Sequence, residues 1–234
     1  MFSSPYKKKL HHQELNNDFE ILSTSVLSQL KLTEDIFQKG WVKEAEKELT
    51  ENAERIHSLG ISFIKKLSTM VLLYSPRAKE LRKVVSVHEV VLFLEKINQL
   101  LLNIVDLVKQ IRLDESSEED FLSLASKAFE ILDRIANASS YSFYKGDKVQ
   151  AYNILEEQGK IERITAEMKE HLIASFQDIS LSGQNLLNVI NMNNILYILN
   201  KINDYALDIA KETIFVMDGI HIRTQKPQRM NGNE

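Results

Sequence analysis

The sequence predicts an all-α protein built as two tandem three-helix bundles, six long antiparallel helices in all. Three observations carry that expectation. Across 234 residues there are only seven glycines and three prolines, and Pro5 and Pro227 stand near the ends, so the interior is nearly free of breakers. Apolar residues recur at helical spacing, as in Phe19, Leu22, Val26, Leu27 and Leu30 and again in Val42, Ala45, Leu49, Ala53, Ile56 and Leu59; strand-like alternation is missing. The segment Glu95 to Ile104 (EKINQLLLNI) returns 105 residues later as Asn200 to Ile209 (NKINDYALDI), with Lys96, Ile97, Asn98, Leu102 and Ile104 meeting identical partners. At the same offset Glu51 meets Glu156, Ile56 meets Ile161 and Leu81 meets Leu186.

The elements follow in order. A first helix ends at Lys39-Gly40, because glycine is the usual C-terminal stop. The second ends at Ser75-Pro76, and Pro76 is read as the first turn of a third helix that runs to about Leu113. Asp114 to Asp120 (DESSEED) is a polar break whose serines and carboxylates suit the start of a fourth helix. Lys145-Gly146-Asp147 closes the fourth and caps a fifth, Asp178 to Gly183 separates the fifth from the sixth, and the sixth stops at Asp218-Gly219. Residues 1–113 are therefore expected to form the first repeat, 114–223 the second, and 224–234 a flexible tail. The third and sixth helices are apolar on almost every face, as helices in the middle of a bundle are.

Composition narrows the classes of function. Hydrophobic residues at 44% and charged residues at 26% suit a folded globular chain. Cysteine is absent, which removes disulfides, thiolate metal sites and Cys nucleophiles and suits the cytoplasm. A net charge of −4 with interspersed signs offers no long-range attraction to nucleic acid. The N-terminus lacks the apolar stretch of a secretory signal. The apolar runs at Leu67 to Tyr74 and Val84 to Leu94 fall short of the roughly 20 residues of a spanning helix.

On these residues the chain resembles the PhoU family. Pro76-Arg77-Ala78-Lys79-Glu80-Leu81-Arg82 matches the family's P-x-A-x-D/E-L-R pattern. Glu95-Lys96-Ile97-Asn98-Gln99 with Asn103-Ile104 resembles its E-R-I-x-D run, which the second half repeats before Ala210, Glu212, Phe215 and Gly219. The resemblance implies a PhoU-like pair of three-helix bundles that form a homodimer and regulate phosphate uptake and phosphate-starvation signalling without catalysis. It implies contacts with the ATPase subunit of a phosphate ABC transporter and with a sensor histidine kinase, in the cytoplasm or at the inner face of the membrane. The other readings are a metal-binding bundle and an accessory subunit of another ion transporter.

The resemblance also implies that the E-x-x-x-D motif of each repeat, with acids of a neighbouring helix, holds a divalent or iron-type metal. Each motif here keeps one acid: Glu95 with Gln99, and Asp204 with Asn200. Glu51, Glu156 and Glu157 are the neighbouring-helix candidates, with Asp204 and Glu156 or Glu157 the favoured set. Glu80 and Arg82 are candidates for partner binding, set against a plain helix-start role. Glu54-Arg55-Ile56-His57 is an E-x-x-H without the second copy that a di-iron bundle needs. Lys7-Lys8-Lys9 reads as a frayed chain end, set against a membrane contact. No triad order, P-loop or dinucleotide fingerprint is visible.

Overall fold

A computed structural model of the chain describes residues 5–112, 119–176 and 183–222. Among these there are seven helices: α1 (Pro5–Lys39), α2 (Lys43–Tyr74), α3 (Lys79–Val108), α4 (Glu119–Lys145), α5 (Lys148–Leu155), α6 (Gly159–Phe176) and α7 (Gly183–Asp218). The expected fifth helix is divided by a turn at residues 156–158. Gly159 opens α6, and glycine costs a helix interior about 1 kcal/mol relative to Ala. The tail 224–234 and most of the two stretches 114–120 and 178–183 lie outside the described residues.

The helix stops at Gly40, Gly146 and Gly219 are where the sequence puts them, each glycine at positive φ (86°, 68° and 74°). Asp147 caps α5 by accepting the Gln150 N–H at 3.0 Å. The third helix starts later than expected. Pro76 belongs to the connecting turn, in which Ser75 and Ala78 both hold positive φ (44° and 48°), and α3 begins at Lys79 and ends at Val108 rather than near Leu113.

Helices α1, α3, α4 and α7 pack on one another as the centre of the molecule, α2 covers α1 and α3, and α5 and α6 cover α4 and α7. The repeats are related by an approximate twofold, because equivalent helices pair antiparallel. Phe19 meets Phe143 with ring centres 5.5 Å apart and Phe37 meets Phe129 at 5.7 Å across α1 and α4. Phe93 stacks on Tyr205 at 5.8 Å across α3 and α7. A continuous apolar core draws on both repeats, with Leu22, Ile56, Leu94, Phe129, Ile161 and Leu199 all buried in it.

The ends of α3 and α7 lock the repeats together. Asn188 at the start of α7 receives the Arg112 N–H at 3.1 Å and donates to the Arg112 carbonyl at 2.6 Å, closing backbone groups just beyond α3. At the other end the Arg82 guanidinium packs beside Gly219, where a Cβ would come within 3.6 Å of it. The α2 helix departs from expectation: it is long and apolar enough by length and composition to cross a membrane. Leu49, Ile56, Phe63 and Leu67 nonetheless face the core from it.

Candidate functional site

The repeat motif places Glu95 on α3 opposite α2. Its side chain is 16% exposed, and Oε1 lies 3.7 Å from His57 Nδ1, too long for a hydrogen bond. That oxygen is buried and has no hydrogen-bond partner among the described residues. Gly60 makes room for it: a Cβ on Gly60 would sit 2.0 Å from Glu95 Oε1. In the second repeat the equivalent positions are Asn200 and Thr165. Asn200 donates to Thr165 Oγ1 at 2.9 Å and to the Leu196 carbonyl at 3.0 Å. One repeat fills the joint with a long acid over glycine, the other with a short amide over threonine. Asn98 and Asn203, equivalent in the two motifs, are both buried, and Asn98 donates to the Ala53 carbonyl at 3.4 Å.

The other candidate acids, Glu156 apart, stand beside cations. Asp204 accepts from Lys201 at 2.9 Å on its own helix. Glu157 accepts from Arg134 at 2.6 Å and pairs with Lys160 at 3.3 Å. The Arg134 hydrogen bond holds its carboxyl below the usual carboxylate range, against a smaller opposing push from burial. Glu156 is exposed in the turn between α5 and α6. Glu51 is exposed beside Lys47 at 3.7 Å, and its six-residue separation from His57 is about 9 Å along α2.

Among the described residues no three His, Asp or Glu side chains come together as a metal ligand set. One carboxylate per motif, with Asp204 and Glu157 committed to lysine and arginine, does not fit the divalent or iron-type metal that the resemblance implies.

The start of α3 forms a second cluster. Glu80 accepts two hydrogen bonds from Lys8 of α1, at 2.8 and 3.0 Å. That lysine bond holds its carboxyl below the usual range. Among the described residues Arg82 pairs with neither Glu80 nor another acid; it is turned toward Gly219 at the C-terminal end of α7, where a cation complements the negative end of the helix dipole. Between α1, α2, α3 and the end of α4 lies an apolar cleft of about 590 Å³, counting its open mouth, with Phe19, Phe63, Leu67 and Phe143 inside and His12, Glu80 and Lys83 at the rim. Burial, then Lys83 and Lys8, lower the His12 pKa, with Glu80 opposing and His11 adding slightly.

Sequence reasoning missed Gly60 and the cleft. A lone glycine inside a helical pattern signals close approach, so Gly60 was findable; the cleft depends on packing between four helices and leaves no local mark.

Three comparisons bear on the fold and the family. The PhoU domain model matches residues 19–108. The crystal structure of PhoU from Pseudomonas aeruginosa superposes with a TM-score of 0.81 at 15% identity, covering 91% of this chain and 99% of that one. The phosphate transport system regulatory protein PhoU from Streptococcus pneumoniae gives 0.74 at 17% identity, covering 92% and 99%. No curated protein sequence matches. The chain thus has the PhoU fold through both repeats and carries a PhoU-family domain at residues 19–108.

Proposed function

We propose that this protein is a PhoU-type regulator of phosphate uptake and phosphate-starvation signalling, acting as a non-catalytic helical adaptor. The observation that carries the reading is the PhoU domain match over residues 19–108, set in a fold shared across 91% of the chain. On this reading its partners are the ATPase subunit of a phosphate ABC transporter and a sensor histidine kinase, met at the inner face of the membrane by a homodimer. Co-purification with the cognate ATPase or kinase, and altered phosphate regulation in a deletion strain, are the expected results. Failure of both overturns the proposal, and capture of a different ion transporter in their place favours the accessory-subunit reading.

The motif acids then act through packing and ion pairs. Protein purified without a His-tag is expected to carry no stoichiometric metal and to gain no thermal stability from added divalent or iron salts. A full equivalent of bound metal would reverse this part of the reading.

A further inference from the structure

Two features meet at the turn between α2 and α3. Its apolar side chains point outward: Leu72 is 82% exposed and Leu73 51% on the last turn of α2, and Leu81 and Val85 are about half exposed on the first turns of α3. The apolar stretch of α2 that could by composition cross a membrane is only 28% buried.

Its charge is also one-sided. Residues 72–85 carry Arg77, Lys79, Arg82 and Lys83 against one acid, Glu80, and Lys8 neutralises that acid. The neighbouring end of α1 adds Lys9. The second repeat makes the contrast. Leu186 and Ile190 stand where Leu81 and Val85 do, and are 48% and 47% exposed. The matching stretch 177–190 holds Asp178 and no lysine or arginine. The apolar pair is common to both repeats, while the cations belong to the first alone.

We propose that the α2–α3 turn docks this protein on an anionic lipid bilayer. Leu72 and Leu73 enter the boundary between headgroups and acyl chains, and Arg77, Lys79 and Lys83 stay among the lipid phosphates. Protruding leucines ringed by flexible cations fit that interface, where apolar burial and attraction to anionic headgroups add.

Co-sedimentation of the full chain with vesicles of phosphatidylcholine alone, or mixed with phosphatidylglycerol, tests this. Binding is expected only to the mixed vesicles and to weaken with salt. Lys79→Ala with Lys83→Ala should lower partitioning roughly 25-fold, at about fivefold per cation. Leu72→Ser with Leu73→Ser should lower it at least about tenfold. These side chains are exposed, so unchanged circular dichroism is expected. Leu186→Ser with Ile190→Ser at the second repeat's tip should leave binding as it was. Absence of binding to the mixed vesicles, equal binding to both kinds, or equal loss from the second-repeat pair each overturns the proposal; the first two would point to a protein partner for this turn.

Discussion

Gly60 and Glu95 occupy one volume, and neither can be changed without reference to the other. Alanine at position 60 gains about 1 kcal/mol of helix propensity, but its Cβ lies 2.0 Å from Glu95 Oε1 and 2.9 Å from the carboxyl carbon, so the Glu95 side chain must leave. Gly60→Ala alone is expected to be neutral or destabilising. In a Glu95→Ala background the same change should stabilise by about 1 kcal/mol, a coupling a double-mutant cycle in urea would read directly. Additive effects would show that the two side chains do not compete. His12 gives the residue scale a pH dependence. Its folded pKa lies below the ordinary 6.5 because of burial first and then Lys83 and Lys8. The unfolded chain therefore takes up its proton more readily, and stability is lost as pH falls below about 6.5. His12→Gln is expected to flatten the stability profile from there down to the lowered folded pKa; an unchanged slope there would place the titration elsewhere.

At the scale of elements, the connection between repeats rests on few polar contacts. Asn188 is 1% exposed and holds both the N–H and the carbonyl of Arg112. Asn188→Ala leaves those backbone groups unpaired in a partly buried joint and should cost about 2–3 kcal/mol, measured by chemical denaturation. A loss under about 0.5 kcal/mol would mean that water replaces the amide. The sequence made the helices and their glycine stops legible because those depend on local periodicity and on φ at Gly40, Gly146 and Gly219. It misplaced the start of α3, since Pro76 suits a helix's first turn as well as the turn before it, and only the positive φ of Ala78 decides. It overlooked the break before Gly159 because a single glycine is tolerated in many helices. The candidate acids were legible as residues but not as a constellation. Pairing Asp204 with Lys201 and Glu157 with Arg134 depends on rotamers and on the register between helices, which spacing along the chain does not fix.

At the scale of the whole molecule, sequence repetition and cooperative folding are separate properties. The repeat at an offset of 105 residues identifies two equivalent units, yet the apolar core runs through both, and Phe19 and Phe37 of the first repeat rest on Phe143 and Phe129 of the second. An isolated residues 1–112 fragment would expose the faces of α1 and α3 that α4 and α7 cover, an apolar patch that invites association. The full chain is therefore expected to unfold in one transition seen alike by circular dichroism and fluorescence. The 1–112 fragment alone should bind hydrophobic dye and melt without a cooperative step, and mixing it with residues 113–234 should restore the transition. A fragment that melts cooperatively alone, or a full chain that melts in two steps, would mean each three-helix unit is stable without its twofold mate. The antiparallel pairing of α1 with α4 and of α3 with α7 would then be docking between finished domains rather than the completion of one core.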